Sequence, residues 1–277
     1  MPKYQTADEW WRSILTGQDP ALPLRQFRNI LGLIPSRPRC TFCNAPYHGP
    51  GAPLMRLLGK APSTLTPHLC RQCHDEARKH IGGSEVEMTL LFADVRGSTP
   101  LAERMSASEF SRLINRFYSA ATDVLVESGA WSDRLVGDEV IGIYVPGFAG
   151  PEHARRAVGA AQELLRITGH GQAGGAWLPI GVGVHTGVAF AGAMGKLGGA
   201  TDITALGDTV NIAARLASKA GQGEALISEA AYAAARIDLG RMEQRELELK
   251  GKSGPVSVRV ARLESTNTPA GTPGASA

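Results

Sequence analysis

The amino-acid sequence predicts an α+β fold, in which a large mixed domain follows a small cysteine-containing module. From Ser84 onward, apolar strand-like runs alternate with amphipathic helical runs, and four cysteines precede them as two Cys-x-x-Cys pairs. A content of 43% hydrophobic and 20% charged residues is typical of a globular chain. The predicted units are an N-terminal helical segment (1–36), a cysteine module (37–83), a main domain (84–263) and a tail (264–277).

The N-terminal segment contains two apolar stripes close to helical spacing. They comprise Trp10, Trp11, Ile14 and Leu15, and then Phe27, Ile30, Leu31 and Ile34. The breaker stretch DPALP lies between them, so we predict two short amphipathic helices. Such stripes are typical of core packing or of a dimer contact, and we expect one of these roles rather than ligand binding.

The cysteine module has the spacing of a metal site. Its ligand candidates are Cys40, Cys43, Cys70 and Cys73, with 26 residues between the two pairs. Two such pairs supply the four sulfurs that Zn²⁺ binds in a tetrahedron, and a closed set of four leaves no position for chemistry. We therefore expect a structural zinc ion. Nearby histidines that could replace a cysteine are His48, His68 and His74.

The charge distribution and the N-terminal sequence indicate which partners and which location to expect. Residues 1–84 contain 11 Lys/Arg against 5 Asp/Glu, whereas the remainder is slightly acidic. A solvated basic face explains this asymmetry, so we do not expect nucleic-acid binding. No apolar run reaches the length of about 18 residues needed to span a membrane, and no signal-peptide pattern is present, so we expect a cytoplasmic protein. The polar, Pro/Gly-rich tail is expected to be disordered.

In the main domain, strand-like apolar runs alternate with runs that have the periodicity of an amphipathic helix. The predicted strands are 86–95, 140–146, 179–192, 224–228 and 256–263, and the predicted helices are 106–127, 152–167 and 208–220. These runs predict one mixed domain of strands and helices, roughly 180 residues long.

Two aspartates follow strand-like runs in this domain. Asp94 ends a buried strand and precedes a turn with Gly97, after which Ser98 or Thr99 is expected to cap a helix. A helix N-terminus favours phosphate and a carboxylate favours a cation, so this segment suits a metal-bound triphosphate. Asp138 lies at the tip between two further strands. Taken alone, each aspartate fits an ordinary loop residue or cap better than a metal ligand, and the pair with its flanking strands fits both interpretations equally.

A third segment, DITALGDTVNIAARLASKA, places Asn211 and Arg215 four residues apart on one helix face. With this segment, the chain resembles the class III adenylyl and guanylyl cyclases. The matching motifs are FADVRGST, R-x-x-G-D at 134–138, GVHTGVAFAG, GDTVNIAAR and LKGK at 249–252. The resemblance covers residues 84–263 and implies a ferredoxin-like class III nucleotidyl cyclase domain behind the cysteine module.

The resemblance also implies the chemistry. Asp94 and Asp138 are expected to hold two Mg²⁺ or Mn²⁺ ions, Asn211 to orient the ribose, Arg215 to stabilise the pentavalent phosphorane, and Lys250 to contact phosphate. In this family the aspartates and the Asn/Arg pair of one site come from different chains. We therefore expect a head-to-tail homodimer.

Base recognition departs from the adenylyl enzymes of this family, because Arg134 stands where lysine is usual, whereas Thr204 is a common bacterial alternative. Guanine presents N–H donors on its recognition edge, and arginine only donates, so ATP is the expected substrate. GTP, CTP and UTP remain alternatives. A different class of function is a weak nucleotide-sensing or nucleic-acid-binding module, but retention of both aspartates with Asn211 and Arg215 argues against it.

Overall fold

The computed structural model describes residues 4, 6–18, 24–36, 38–66, 68–131, 133–195 and 201–263. The tail expected to be disordered, 264–277, and the side chain of Arg134 lie outside the described residues. Among the helices of the described ranges, none combines the length and the apolar character needed to cross a bilayer.

Ten helices and eight strands are defined within those ranges. The helices are α1 (Ala7–Thr16), α2 (Leu24–Gly32), α3 (Ala52–Leu57), α4 (Arg71–Lys79), α5 (Ser98–Glu103), α6 (Ala107–Ser128), α7 (Pro146–Ala149), α8 (His153–Ile167), α9 (Asp208–Lys219) and α10 (Glu229–Ala235). The strands are β1 (Gly82–Val95), β2 (Asp133–Val136), β3 (Glu139–Tyr144), β4 (Ile180–Gly195), β5 (Thr201–Leu206), β6 (Ala225–Ser228), β7 (Glu243–Leu247) and β8 (Val256–Ala261). All five predicted strands and all three predicted helices of the main domain are confirmed.

The strands form one sheet in the order β2-β3-β1-β4-β6-β8-β7, with β5 paired to β4. Its centre is the antiparallel ladder between β1 and β4, which runs from Gly82 opposite Ala193 to Val95 opposite Ile180. The pairing of β4 with β6 is parallel, and the other pairings are antiparallel.

Alternate residues of the strands feed two cores on opposite faces of the sheet, as the period of a strand requires. On one face, Leu91, Ala93 and Val95 of β1 pack with α6, α8 and α10. The other face carries Val86, Met88, Leu90 and Phe92, together with Ala213 and Ala217 of α9. We call these the helix face and the site face. Asp94 follows the same alternation and belongs to the site face.

The cysteine module packs directly on the site face. Helix α1 buries all four members of its predicted stripe, and Trp11 Nε1 donates to the carbonyl of His80 at 2.7 Å. Phe42, in the first cysteine loop, stacks edge-on against Trp131 and Phe148 at centroid distances of 5.9 and 5.0 Å. The module and the sheet therefore share one continuous apolar cluster.

The second predicted stripe is only partly correct. Leu31 is buried, but Phe27 and Ile30 are exposed, and Ile34 lies beyond the end of α2. The helical period was right, but among the described residues apolar neighbours cover only the Leu31 edge of this helix. Its outer face therefore remains open.

Helix α9 lies very close to β4 because the strand has a glycine, Gly183, at the point of contact. A Cβ at Gly183 would lie 2.2 Å from the backbone nitrogen of Ala217 and 2.5 Å from the carbonyl oxygen of Ala213. Any side chain there would push the helix off the sheet.

We predict that Gly183→Ala destabilises the protein by about 1 to 3 kcal/mol, the usual cost of overpacking, because helix backbone rather than a flexible side chain must move. Gly159→Ala is the control, since Gly159 is an exposed residue of α8 where an added Cβ would meet no atom within 4 Å. That variant should gain about 0.5 to 1 kcal/mol from helix propensity. Denaturant unfolding measures both, and equal stability of the two variants would contradict the close contact.

Candidate active site

Strand pairing brings the two predicted metal aspartates together. Asp94 pairs with Glu139 across β1 and β3, and Val95 donates its N–H to the carbonyl of Asp138 at 3.3 Å. Residues that are 44 apart in sequence thus meet at one end of the sheet. Asp94 and Asp138 are both half-buried, so their carboxylates combine access with a reduced dielectric.

A third carboxylate, Glu139, belongs to the same group and was missed by the sequence reasoning. It lies directly opposite Asp94, on the same face of the sheet. Burial raises the pKa of Glu139 to about 7, and the charges of Asp94 and Asp138 add to the rise. Its position next to Asp138 in sequence was visible, but only the strand register shows that it faces Asp94. Concentrated negative charge of this kind suits divalent cations.

A hydrogen bond from helix α6 fixes the turn that presents Asp138. Gly137 has a φ of +65°, which fits the first central position of a two-residue hairpin turn. The hydroxyl of Tyr118 on α6 donates to the carbonyl of Gly137. Burial raises the pKa of Tyr118, with the charge of Asp138 adding to the effect. Sequence reasoning missed Tyr118, because nothing in its helix marks it as a partner of the turn.

Asp94 has a cationic neighbour two residues along the chain. Arg96 Nη2 lies 2.5 Å from Asp94 Oδ2. Burial raises the pKa of Asp94, whereas the Arg96 charge opposes the rise. Sequence reasoning also missed Arg96, although the motif FADVRGST contains it.

The expectation that Ser98 or Thr99 caps the following helix is wrong. The N-cap of α5 is Gly97, with a φ of +68° and no side-chain cap, and Ser98 is the first helical residue. A left-handed φ favours glycine at this position, which puts both hydroxyl residues inside the first turn. Backbone N–H groups of a first turn lack intrahelical acceptors, so Ser98 and Thr99 still offer donors beside Asp94.

Helix α9 presents Asn211 and Arg215 as the sequence predicted, the first exposed and the second half-buried. The LKGK loop lies against Arg215, because a Cβ at Gly251 would be 3.6 Å from Arg215 Nη2. Exposed Lys250 and half-buried Lys252 belong to this loop, and Lys252 pairs with Asp208 at the start of α9. Loop and helix therefore form one basic surface.

A cavity of about 490 Å³ lies within this surface. Its lining includes Lys219, Lys250 and Lys252. Three ammonium groups against the one carboxylate of Glu248 favour a polyanion in this cavity.

The base-reading residues are placed in part. Thr204 lies on β5 opposite Gly192 and is half-buried. The backbone of Arg134 lies on β2 opposite Ile141, while its side chain is outside the described residues. The two predicted base readers thus lie on strands at separate positions in the sheet order, with β3, β1 and β4 between them.

The four cysteines meet at one point. Their sulfur atoms all lie within 4.8 Å of one another, and Cys43 and Cys70 are 3.8 Å apart. A tetrahedral zinc site with Zn–S bonds of about 2.3 Å needs sulfur separations near this value. Within the described residues, this is the one group of three or more His, Cys, Asp or Glu ligand atoms with metal-site spacing, and it includes no histidine.

Two cations stand beside this thiol cluster. Arg28 of α2 is buried, and its Nη1 donates to the carbonyl of Phe42 at 2.8 Å. Burial lowers the pKa of Arg28 to about 10, and the charges of the cysteines oppose this shift. Lys60 Nζ lies 3.9 Å from Cys43 Sγ. Both cations would balance the negative charge of four zinc-bound thiolates.

Known proteins share the main domain. The family model described as the adenylate and guanylate cyclase catalytic domain matches residues 83–261. An adenylate cyclase of Anabaena cylindrica is 30% identical over 135 residues, which are 47% of this chain and 26% of that protein. This chain thus spans about a quarter of the length of that relative.

Solved structures agree on the fold. The guanylyl cyclase Cya2 matches with a TM-score of 0.58 and 26% identity, covering 68% of this chain and 98% of that one. The adenylyl cyclase CyaB from P. aeruginosa matches with a TM-score of 0.57 and 27% identity, covering 65% of this chain and 96% of that one. With the α+β sheet, the paired aspartates and the family match over most of the chain, the protein belongs to the family of class III adenylate and guanylate cyclase catalytic domains.

Proposed function

We propose that this protein is an adenylate cyclase that converts ATP into 3′,5′-cyclic AMP and pyrophosphate. One observation carries the proposal. Strand register brings Asp94 and Asp138 together close to the first turn of α5, while α9 presents Asn211 and Arg215 next to a lysine-lined loop. Cation ligands and polyanion ligands are the two parts that a cyclising phosphoryl transfer requires.

The roles of the residues follow from the reaction. The ribose 3′-oxygen attacks the α-phosphorus, the bond to the β-phosphate oxygen breaks, and the hydroxyl proton passes to solvent. Asp94 and Asp138 would hold two divalent cations, which would lower the pKa of the hydroxyl and neutralise the leaving pyrophosphate. Asn211 would orient the ribose, Arg215 would donate to the phosphorane oxygens, and Lys250 would bind phosphate.

A homodimer is the proposed working unit, with the aspartates of one chain facing α9 of the other. An exposed apolar surface around the base-reading strand supports it. Val188, Met194 and Leu206 of β4 and β5 are between 41% and 59% exposed. A second copy of the chain would cover these side chains.

A structural zinc ion in the cysteine module is also proposed, as is a cytoplasmic location. The sulfur spacing and the adjacent cations support the zinc, and four unpaired thiols fit a reducing compartment.

We predict one zinc per chain, lost on Cys43→Ser in the presence of a chelator, because three thiolates bind zinc more weakly than four. Hydrogen exchange should then rise over residues 38–80 and also near Trp131 and Phe148, which contact Phe42. His48→Asn and His68→Asn should keep their zinc, since both histidines are exposed and absent from the thiol cluster. Metal-free wild-type protein with the same exchange pattern would refute the zinc site.

Nucleotide choice is predicted to rest on Arg134 and Thr204. Cyclic AMP should be the main product with Mn²⁺ or Mg²⁺, Arg134→Lys should keep ATP use, and Arg134→Glu should favour GTP relative to ATP. Loss of one base-edge hydrogen bond changes selectivity by roughly 5- to 150-fold, or about 1 to 3 kcal/mol. Product assays with all four triphosphates measure this. Unchanged relative rates in both variants would contradict the assignment, and cyclic GMP as the wild-type product would make the protein a guanylate cyclase.

Shared sites give the sharpest test of the dimer. Asp94→Ala and Arg215→Ala homodimers should each be nearly inactive. Co-expression forms mixed dimers in which one site combines the intact Asp94 of one chain with the intact Arg215 of the other. Random pairing makes about half of the dimers mixed, with one of two sites intact, so activity should return to about a quarter of wild type.

Differential tags isolate the mixed dimers and provide the control. Isolated mixed dimers should reach about half of the wild-type rate, because one of their two sites is complete. Mixed dimers as inactive as their parents would show that the site lies within one chain or that these residues do not have the stated roles.

A further inference from the structure

Arg96 occupies the space between the metal-binding end of β1 and the last turn of α9. Its Nη2 lies 2.5 Å from Asp94 Oδ2, and its Nη1 lies 3.0 Å from the carbonyl oxygen of Ser218 and 3.5 Å from that of Ala220. The buried Nη2 meets the carboxylate as a charge pair, without the alignment of a hydrogen bond. One guanidinium thus joins an aspartate side chain to the end of a helix.

The chemistry of both contacts favours arginine. A helix ends in carbonyl oxygens that have no intrahelical donors and that carry partial negative charge. Ser218 belongs to the last turn of α9, and Ala220 is its C-cap. The planar guanidinium has donors pointing in several fixed directions, so it can satisfy these carbonyls and a carboxylate together, which a lysine ammonium does less well.

The surrounding backbone leaves room for this side chain. Gly181 lies directly opposite Asp94 on β4. A Cβ at Gly181 would lie 3.2 Å from Arg96 Nε and 2.9 Å from the carbonyl oxygen of Ala220. The N–H of Arg96 itself donates to the carbonyl of Pro179 at 2.8 Å. A hydrogen bond therefore fixes the backbone of Arg96, and the backbone of Gly181 packs closely against its guanidinium.

We propose that Arg96 is a positioning residue, which α9 anchors and which orients the carboxylate of Asp94 for its divalent cation. This proposal rests on the proposed function, since it needs Asp94 to be a cation ligand. The ion pair with the anchored guanidinium would hold Oδ2 on the Arg96 side, so that Oδ1 remains available to a cation. The positive charge of Arg96 opposes a nearby cation, so orientation must outweigh repulsion for the arginine to help binding.

That competition provides the test. Mn²⁺ binding to the zinc-loaded, nucleotide-free protein is measured by electron paramagnetic resonance, which needs no turnover. Arg96→Lys keeps the charge but loses the planar fork, and Arg96→Gln loses both. We expect each to weaken Mn²⁺ binding about 10-fold or more, the usual effect of losing the group that orients a metal ligand.

A matched control exists elsewhere in the chain. Arg155 also joins a carboxylate, Glu152 at 3.5 Å, to a helix end, the carbonyl of Arg236 at 3.1 Å. Arg236 is the C-cap of α10, on the opposite side of the sheet from Asp94. Arg155→Lys should therefore bind Mn²⁺ as wild type does, which separates positioning of Asp94 from a general loss of helix anchoring.

The outcomes are distinct. Wild-type affinity in Arg96→Lys, or tighter binding in Arg96→Gln, would overturn the positioning role while leaving the metal aspartates in place. If Asp94→Ala binds Mn²⁺ as well as the wild-type protein does, then no Mn²⁺ binds at this site. That result would overturn the proposed cation site and the role of Arg96 with it.

The mixed dimer locates the effect. Arg96→Lys placed on the chain that supplies Asp94 to the intact site should lower activity at limiting Mn²⁺ and recover at high Mn²⁺. The same substitution on the Asp94→Ala chain should have little effect, because the aspartate that it would orient is absent there. Equal loss from both chains would show that Arg96 acts through α9 and would overturn the proposal.

Discussion

The antiparallel pairing of β1 with both β3 and β4 is the constraint on which the rest of the structure depends. Pairing with β3 places Glu139 opposite Asp94 and brings Asp138 beside Val95, so the carboxylates are collected by backbone hydrogen bonds. Pairing with β4 places Gly181 opposite Asp94. Because the side-chain period of a strand is two, a shift of β1 by one residue against both neighbours would send Asp94 to the helix face. The proposed cation site thus depends on the register of one strand.

Negative charge at this end of the sheet has a cost that the surroundings offset. Burial raises the pKa of Glu139 to about 7, and the charges of the neighbouring carboxylates add to the rise. The charge of Arg96 opposes the rise in the pKa of Asp94. The same guanidinium also donates to a carbonyl at the end of α9. The helix that presents Asn211 and Arg215 is thereby mechanically joined to the strand that presents the aspartate. In the proposed dimer, Asp94 of one chain belongs to one active site, and Asn211 and Arg215 of the same chain belong to the other. Each chain therefore connects the two active sites.

The cysteine module belongs to the same physical unit. Phe42, Trp11 and Trp131 pack within one apolar cluster that continues into β1, so cysteine loop and sheet exclude water together. A metal ion in the thiol cluster would fix the loop that carries Phe42, and through it a part of the site-face core. The exposed residues of α2, by contrast, lie outside this cluster, which explains why only one edge of that helix is buried.

The sequence by itself determined the elements with strong periodicity and the residues within contiguous motifs. Local spacing predicted the five apolar strands, the helices around them and the four-cysteine group. Asp94, Asp138, Asn211 and Arg215 stand in contiguous motifs, and their roles are what the resemblance to the class III cyclases implies. Sequence reasoning missed β5 and β7, since these short or polar strands take their conformation from their neighbours. It placed the cap of α5 on a hydroxyl residue, whereas the left-handed backbone at Gly97 decided the position. Glu139, Tyr118 and Arg96 joined the site only in the tertiary structure, because strand register and helix packing bring side chains together that no sequence period connects.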